Sequence, residues 1–479
     1  MSALTRHYTR LASGAGAALL AAMALLAGCA VGPDYRPPTP KVAAAYAEKG
    51  PWKVAEPRDA LPRGDWWTVF RDPELDRLET LAAKASPNLQ AAAARRDQAF
   101  ALANVSRADL LPQLSLDPSG SRTRYSGHRQ VPPGVGHSAY TTDSYSLPLD
   151  LSYEVDLWGR VRRLDQSARA QAQAANALYQ SALLGLQADV AQAYFNLRAL
   201  AREIHVVRAG VVTRKEGLKL IRIRFSGGAS GELDVLNAQT ELASAENDLL
   251  ALEQRRTALT HALAVLCGQL PESFEVIAEK PLVTQPPALP VGLPSDLLER
   301  RPDIAAAERT MAAVNAQIGV AKAAFFPDIR LVGSAGYNSS ELDSLLHSTS
   351  SQWAFAPMIS LPIFTGGRNR ANYERAKAAY REAAARYQGQ VLVAFQEVED
   401  SLSALRTLAA QARVVGQAVD SARKAAALSQ FRYREGLVSY LEVMDAERSA
   451  LQFERLASQL EAQRYAASIT LVKALGGGW

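Results

Sequence analysis

The sequence predicts a mainly α-helical protein that is duplicated, with a smaller β part in each half. Three observations predict this fold class. Proline-free windows run from Leu149 to Leu270 and from Ile363 to Trp479, and long helices need such windows because an interior proline breaks an α-helix. Segments in which apolar and polar residues alternate stand at the start of these windows, and such alternation is typical of strands. Short motifs also recur at a nearly constant distance, which indicates an internal duplication.

The composition excludes several classes of protein. The chain has 479 residues, of which 48% are hydrophobic and 21% charged, and its formal net charge is +5. A mean hydropathy of −0.10 is too low for a helical inner-membrane transporter, which needs repeated apolar runs of about 20 residues. The charge is too small and too dispersed for a nucleic-acid footprint, so no nucleic-acid partner is expected. The two cysteines, Cys29 and Cys267, exclude a disulfide framework.

Residues 1–28 are predicted to be a signal peptide. A positively charged start is followed by an apolar stretch that ends in Leu26-Ala27-Gly28-Cys29, which resembles a bacterial lipobox. Cys29 is therefore predicted to be the lipidated first residue of the mature chain, and several acyl groups would anchor it in a membrane far better than one. The alternative is an ordinary secretory signal with a chance cysteine. Residues 29–73 are predicted to be an N-terminal tether, extended in its proline-rich first part.

The strand prediction depends mainly on the stretch from Tyr145 to Leu157. Apolar and polar residues alternate there over thirteen residues, which exceeds the about 9–11 residues that a tilted strand needs to cross a bilayer. A second candidate strand begins at Trp353, and weaker ones begin at Leu114 and Ile329. The alternative is a soluble β-sandwich, whose strands are mostly shorter. On the membrane interpretation, the acidic residues opposite the apolar face line a wet lumen, and they are Asp150, Glu154 and Asp156.

A very long helix is predicted after the first strands. Apolar residues follow a heptad pattern from Leu197 to Phe225, interrupted by one charged residue, Arg214. A period of 3.5 residues is typical of a helix packed along a coiled-coil seam. The helix is expected to begin near Gly159 and to end at Gly227-Gly228, which gives about 65 residues or roughly 100 Å. A solvated coiled coil is an alternative at this point.

The second half of the chain repeats the first. Leu110-Leu111-Pro112 returns 215 residues later as Phe325-Phe326-Pro327, and Leu233–Gln239 returns 208 residues later as Leu441–Glu447. Each copy is predicted to contain a helix, a strand, a loop, a strand, a long helix, a turn and a helix. The predicted boundaries are a first repeat at 74–280 with strands near 113–157, a proline-rich linker at 281–296, and a second repeat at 297–479 with strands near 328–364.

These motifs together resemble one protein family. The lipobox followed by Gly32-Pro33-Asp34-Tyr35, the duplicated strand entries and the stretch from Tyr433 to Arg448 are similar to those of the outer-membrane factors of tripartite efflux systems, of the NodT and TolC-like type. The resemblance covers residues 29–479. It implies a homotrimer in which a 12-stranded outer-membrane β-barrel, with four strands per chain, continues into a periplasmic 12-helix α-barrel. Independently, four strands cannot close a barrel, because about eight are needed.

The resemblance also implies a function, partners and a gate. It implies an outer-membrane exit channel for drugs or other small molecules, which works with a periplasmic membrane-fusion adaptor and an inner-membrane pump of the RND type. The implied gate lies at the periplasmic turn of the second copy and opens like an iris; its residues are Leu441, Glu442, Asp445 and Arg448. Their counterparts in the first copy are Leu233, Asp234, Asn237 and Thr240, which are expected to serve packing and adaptor contacts.

Other functions stay open at this stage: a type I secretion exit duct, a periplasmic coiled-coil adaptor or structural lipoprotein, and a lipid-anchored enzyme. The adaptor leaves the long alternating strands unexplained. The enzyme lacks a reactive cluster, because the six histidines show no metal-ligand spacing and no H-E-x-x-H or G-x-S-x-G signature occurs. We therefore expect no enzymatic activity, no cofactor and no bound metal. Cys267 is expected to be a small buried apolar residue.

Overall fold

The computed structural model describes residues 30–38, 65–128, 138–277, 286–287 and 300–477. Cys29 and most of the predicted linker lie outside these residues. The chain forms two compact units: one combines the N-terminal residues through Pro38 with Asp97–Ala175 and Ala307–Arg386, and the other combines the remaining segments. Each unit therefore takes segments from both halves of the sequence.

From the 22-residue helix before the strands onward, both halves contain the same order of elements. After a short 3-10 turn at Trp66–Phe70, the first half consists of α1 (Pro73–Ala85), α2 (Pro87–Ala108), β1 (Gln113–Leu116), β2 (Ser119–Tyr125), β3 (Tyr140–Glu154), α3 (Arg160–Ser226) and α4 (Glu232–Leu266). The second half consists of α5 (Pro302–Ala323), β4 (Asp328–Ser339), β5 (Ser351–Ser360), α6 (Arg368–Arg434) and α7 (Tyr440–Ala474). The paired helices have equal lengths, with 22 residues in α2 and α5, 67 in α3 and α6, and 35 in α4 and α7.

The long helix α3 has the predicted limits. It begins directly after Gly159 and ends before Gly228, and both glycines have positive φ angles, of 80° and 72°. The carboxylate of Asp156 accepts hydrogen bonds from the backbone N–H groups of Val161 and Arg162, at 3.0 and 2.9 Å. These bonds satisfy donors that a helix N-terminus leaves without an intrahelical partner.

The strands form one antiparallel sheet in the order β1/β2, β3, β4, β5. β1 and β2 pair with β3 in one continuous register, so they are a single strand interrupted at Asp117-Pro118. The sheet thus has the four strands expected from the sequence. Among the described residues, the outer edges of β1/β2 and of β5 have no strand partner.

Two strand boundaries differ from the expectation. β3 ends at Glu154 instead of Leu157, because Asp156 caps α3. β5 ends at Ser360 instead of near residue 364, and Pro362, which lacks a backbone N–H, follows two residues later. Inside the sheet, Pro148 of β3 lies opposite Gly336 of β4. A Cβ atom at Gly336 would lie 2.0 Å from the carbonyl oxygen of Leu147, so only glycine allows this approach.

The core of the second unit is aromatic and contains buried charge. Trp66, Trp67, Tyr194, Phe195 and Tyr465 pack together in it. Cys267 is fully buried in the same core, as expected, and burial raises the pKa of its thiol to about 11.

Two acidic side chains of α1 and its cap are buried in this core in different ways. The carboxylate of Asp72, the N-cap of α1, accepts hydrogen bonds from the Tyr194 hydroxyl at 3.1 Å and from the guanidinium of Arg198. Glu79 of α1 is also fully buried, but neither of its carboxylate oxygens has a hydrogen-bond partner within the described structure. Burial, with a smaller contribution from nearby Asp76, raises the pKa of Glu79 to about 9.

Candidate functional site: a two-faced sheet and two helical tips

The sheet of the first unit has one apolar face. The register aligns Leu151 of β3 with Leu114 of β1 and with Gly333 of β4, and it aligns Ala335 of β4 with Trp353 of β5. The same face carries Leu116, Leu147, Leu149, Tyr153, Ile329, Leu331, Tyr337, Phe355 and Ile359. Trp353 is 82% exposed and Ile359 is 70% exposed. An apolar surface of this extent is typical of a face that meets lipid or another protein.

The opposite face of the sheet is polar and carries two of the three predicted acidic residues. Asp150 lies opposite Ser115 and Ser334. Glu154 lies opposite Arg330, and its carboxylate accepts two hydrogen bonds from the Arg160 guanidinium, at 2.7 and 2.5 Å. The alternation therefore separates an apolar from a polar face across β1, the second half of β3 and β4. In β2 the apolar side carries Arg122 and Arg124 instead.

Asp156, the third predicted acidic residue, does not belong to this row. It lies beyond the end of β3, where it caps α3 and pairs with the Arg162 side chain at 3.1 Å. The expectation that it continues the strand face is wrong, because the chain has already left the strand to begin the helix.

The helices of the second unit turn back at two tips, one in each copy. The first tip joins α3 to α4 through Gly228, and the second joins α6 to α7 through Gly436, with φ angles of 72° and 74°. The backbone hydrogen bonds correspond, since Ala229 donates to Arg224 and Leu437 donates to Arg432. Both tips thus end their long helix with the same left-handed glycine turn.

The two tips pack against each other through an apolar cluster. Leu218 and Ile221 of α3 and Ala238 of α4 come from the first copy; Tyr433, Tyr440, Val443 and Met444 come from the second. Arg224 of α3 adds a polar link: its guanidinium donates to the carbonyl oxygens of Tyr433 and Arg434 at 3.1 and 3.0 Å, and lies 4.5 Å from the centre of the Tyr433 ring. A cation at this position interacts favourably with the carbonyl groups at the C-terminus of α6, of which that of Tyr433 also accepts a hydrogen bond from the Gly436 N–H.

A chain of charged residues also connects the copies near the tips. The Arg448 guanidinium of α7 donates to Glu241 of α4, at 3.0 Å from Nε and by a second bond from Nη2. Arg214 of α3 lies 3.8 Å from the other oxygen of Glu241. Asp445 is the more distant partner of Arg448, at 3.5 Å. The hydrogen bond with Glu241 raises the pKa of Arg448, so this arginine stays charged.

Seven residues further along α7, Arg455 makes a second link of the same kind. It donates to Glu203 of α3 at 3.0 Å and to Asp248 of α4 at 2.9 Å. Two arginines on one face of α7 therefore hold this second-copy helix against both helices of the first-copy hairpin.

The predicted gate residues lie in the first turns of α7. Leu441 is 58% exposed, and Glu442 and Asp445 are also exposed. The first-copy counterparts differ in their contacts: Leu233 is exposed, Asp234 accepts a hydrogen bond from the Ser230 hydroxyl at 2.8 Å, and Asn237 is half-buried.

Sequence reasoning missed Glu241 as the main partner of Arg448. The sequence does contain one indication of such a partner. Arg214 is the single charged residue in an otherwise apolar heptad row. Arg214 is buried, and a buried guanidinium needs a carboxylate partner.

Two further kinds of site are absent from the described residues. None of their helices has the length and apolar character needed to cross a membrane. No group of three or more His, Cys, Asp or Glu side chains in this part of the chain could hold a metal ion.

The chain matches proteins of one kind along nearly its whole length. The model of the outer membrane efflux protein family matches residues 78–269 and 293–477. The chain is 36% identical over 469 residues to the outer membrane protein OprJ of Pseudomonas aeruginosa, covering 96% of this chain and 95% of OprJ. It is 35% identical over 466 residues to the toluene efflux pump outer membrane protein TtgI of Pseudomonas putida, covering 96% of this chain and 97% of TtgI.

The solved structure of an outer-membrane channel has the same fold as this chain. The open state of the MtrE outer membrane channel of Neisseria gonorrhoeae superposes with a TM-score of 0.82 at 33% identity, over 94% of this chain and 98% of that one. The fold class expected from the motifs, that of TolC-like outer-membrane channels, is thus confirmed. With a family match over both repeats and relatives that align end to end, this chain belongs to the outer membrane efflux protein family.

Proposed function

We propose that the protein is the outer-membrane exit channel of a tripartite efflux pump. It passes drugs or other small molecules, delivered by an RND-type inner-membrane pump through a periplasmic adaptor, to the outside of the cell. The observation that carries the proposal is a sheet with one apolar and one polar face whose strands lead directly into 67-residue helices. No step of this function needs a reaction at the protein, so the protein is not an enzyme and uses no cofactor.

The channel is a homotrimer. Each chain supplies four strands, and the two outer edges of its sheet are open among the described residues. Three sheets joined edge to edge give twelve strands, which exceeds the minimum of about eight for a closed barrel. The apolar face then meets lipid, and the polar face, with Asp150 and Glu154, lines the lumen. The lipid on Cys29 adds a second attachment to the outer membrane.

The gate is the second-copy tip, and the first-copy tip supports it. Three-fold symmetry makes Leu441 an apolar ring and Asp445 a ring of like charges, while Arg448 holds each α7 against Glu241 of the first copy. Exposed ion pairs each contribute only about 0.2–1 kcal/mol. An adaptor that binds the open tips more tightly by a few kcal/mol can therefore shift the channel to its open state.

Single-channel conductance in planar bilayers tests the gate. Arg448→Ala removes the link to the first copy, and Leu441→Ala with Asp445→Ala removes both rings. Both variants should conduct more than the wild type, and cells that carry them should become more sensitive to antibiotics that leak inward.

Arg423→Ala is the matched control. Arg423 of α6 pairs with Glu454 of α7, so this variant breaks an exposed arginine–glutamate pair within one copy and leaves the link between copies intact. Its conductance should equal that of the wild type. A gate at this position is excluded if Arg448→Ala and the double variant conduct no more than Arg423→Ala.

A further inference from the structure

The strand pairing inside the chain follows the internal duplication. β1/β2 returns as β4, 215 residues later, and β3 returns as β5, 208 residues later. β4 and β5 align Tyr337 with Ser351, so the duplication predicts that Arg122 of β2 lies opposite Asp143 of β3. That pair is observed, and the same transfer reproduces every pair of β1 and the pairs of β2 up to Arg122. The pairing in one copy therefore predicts the pairing in the other.

One of these pairings has its counterpart outside the chain. β3 pairs with β4 and so joins the two copies. The counterpart of this pairing joins β5 to β1/β2, which form the two outer edges of the same sheet. Four strands cannot close on themselves, because a barrel needs about eight. In the proposed trimer, the strand beside β5 is therefore β1/β2 of the neighbouring chain, and the pairing of β3 with β4 predicts its register.

The duplication predicts which residues meet between the chains. β3 and β4 align Tyr145 with Ser339, and the counterparts of these residues are Trp353 and Arg124. Trp353 of one chain should therefore lie opposite Arg124 of the next. The same transfer gives four further pairs, in which the second residue belongs to the neighbouring chain: Ala354 with Thr123, Phe355 with Arg122, Leu361 with Leu116, and Ile363 with Leu114.

At the end of the sheet where the helices begin, this register joins apolar side chains. Leu361 and Ile363, just beyond β5, are exposed, and so are Leu114 and Leu116 of β1. Inside the chain, the counterpart of Ile363 is Val155, whose N–H still donates to β4 at 2.8 Å, so this pairing continues past the strand end. A shift of one residue would set the leucines against the polar side of the neighbouring strand, because side chains alternate between the faces.

At the opposite end of the sheet, the register joins aromatic rings to arginines. Trp353 is 82% exposed and Phe355 is 59% exposed. Arg122 and Arg124 are exposed charges on the side of β2 that continues the apolar face. Residues directly opposite each other in an antiparallel pair have Cβ atoms about 4.5–5.5 Å apart, and a guanidinium within about 6 Å of a ring centre is attracted to the face of the ring. Each arginine can therefore reach the ring opposite it.

The pairing inside the chain lacks this chemistry. The counterparts of the two arginine–aromatic pairs are Tyr145 with Ser339 and Leu147 with Tyr337, and neither pair contains a charge. The complementarity between arginine and aromatic side chains is therefore found between the two outer edges of the sheet and not between β3 and β4.

We propose that Arg122 and Arg124 of one chain pack over Phe355 and Trp353 of the next, and that these contacts set the register between chains. This proposal rests on the homotrimer of the proposed function. A slip of two residues in either direction keeps the faces aligned but retains only one of the two arginine–aromatic pairs. The rings also account for two charges on this side of the sheet, since an arginine on the lipid side costs little near the membrane interface.

Engineered disulfides test the register in the full-length trimer. Ala354 and Thr123 are a predicted pair on the face opposite Trp353. Hydrogen-bonded and non-hydrogen-bonded pairs alternate, and the bond from Val155 to β4 makes the pair of Ala354 and Thr123 a non-hydrogen-bonded one, in which side chains are closest. Ala354→Cys combined with Thr123→Cys should give covalently linked dimers and trimers after oxidation with copper phenanthroline, seen in denaturing gels without reductant.

Two slipped pairs are the matched controls. Ala354→Cys with Ser121→Cys, or with Tyr125→Cys, places the thiols at diagonal positions about 7–8 Å apart, which is too far for a disulfide. Each slipped pair should give about tenfold less cross-linked product. Equal or greater cross-linking in either control, or no cross-linking between Cys at positions 354 and 123, overturns the register.

Double-mutant cycles test the contact between arginine and ring. Arg124→Gln and Trp353→Leu should each speed dissociation of the trimer in hot SDS about threefold or more, and the double variant should dissociate no faster than the faster single variant. Tyr145→Leu is the matched control, because Tyr145 has the place of Trp353 in the pairing inside the chain; its effect should multiply with that of Arg124→Gln. Multiplying effects in the Trp353 cycle as well, or unchanged rates, overturn the contact.

Native mass spectrometry and single-channel conductance of the same preparations test the proposed function separately. A conducting trimer that forms no disulfide between positions 354 and 123 contradicts this register and leaves the channel function intact. A protein that forms neither trimers nor channels contradicts the proposed function and the register with it.

Discussion

Some buried ionisable side chains of this protein are ion-paired, and at least one is isolated. Arg301 represents the first: it is 5% exposed, and its guanidinium donates to Asp303, to Glu397 and to the Ala474 carbonyl oxygen at the end of α7. Such a group is held in place by charged partners on several elements. Glu79 represents the second kind, since it is fully buried and its carboxylate oxygens have no hydrogen-bond partner in the described structure. It is stable there only as a neutral acid.

Glu79 should therefore make stability fall as pH rises. Its pKa is raised from 4.5 to about 9 on folding, so between these values the folded state binds a proton that the unfolded state has lost, and stability declines until about pH 9. Glu79→Gln should match the wild type near pH 4.5 and be more stable at pH 8 by about 2–4 kcal/mol. The thermal midpoint, measured from pH 4.5 to 9, checks this. The exposed Glu216→Gln should follow the wild-type curve, and a Glu79→Gln curve that does the same would refute the prediction.

At the scale of elements, the two faces of the sheet follow from the alternation of apolar and polar residues along β1, β3 and β4. Leu151 and Ser152 are neighbours on β3, yet the register places them on opposite faces. Leu151→Arg puts a charge on the face that we propose to meet lipid, and there it should cost about 2–4 kcal/mol near the membrane midplane. Ser152→Arg, its control, places the same side chain in water. The yield of heat-resistant trimer in outer-membrane fractions should drop for Leu151→Arg alone, and equal yields would argue against a membrane sheet.

The contact between Pro148 and Gly336 gives a second prediction for the sheet. A methyl group at Gly336 would collide with the Leu147 carbonyl, whereas one at Gly333 would meet its nearest neighbours at 3.7 Å. Gly336→Ala should destabilise the sheet by about 1–3 kcal/mol, and Gly333→Ala should have little effect. The unfolding midpoint in detergent distinguishes them; if both variants unfold together with the wild type, β3 and β4 are not so close.

Helix and strand limits could be predicted where the signal is local. The turn glycines at 159 and 228 and the alternation around Leu151 lie within one element, so the sequence predicted the limits of α3 and most of β3. The partner of Arg448 could not be predicted in this way, because Glu241 lies 207 residues away and helical spacing indicates only near neighbours such as Asp445. The contacts of residues 30–38 were missed for a related reason: Asp34 pairs with Arg163 and Pro33 accepts from Asn315, but an extended, proline-rich stretch has no periodicity that reveals such distant partners.

At the scale of the whole molecule, both outer edges of the sheet have no strand partner among the described residues, which favours pairing with other chains. β5 has every residue exposed, and so have β1 and β2. An unpaired strand edge of this length either pairs with another strand or must be protected. Joining β5 of one chain to β1/β2 of the next pairs both edges of every sheet. Native mass spectrometry of the detergent-extracted protein should give three chains per particle. A monomer or dimer that still inserts into bilayers and conducts would contradict this arrangement.

The matching lengths of the paired helices bear on the ancestry of the gene. Because α2 and α5, α3 and α6, and α4 and α7 agree residue for residue in length, a half-length ancestor could have built the proposed ring from six identical copies. After a fusion of two such genes the halves are free to differ, and they do at the tips: the second has Asp445 and Arg448 where the first has Asn237 and Thr240. In the proposed trimer, the two copies thus give three tips with Asp445 and Arg448 and three with Asn237 and Thr240.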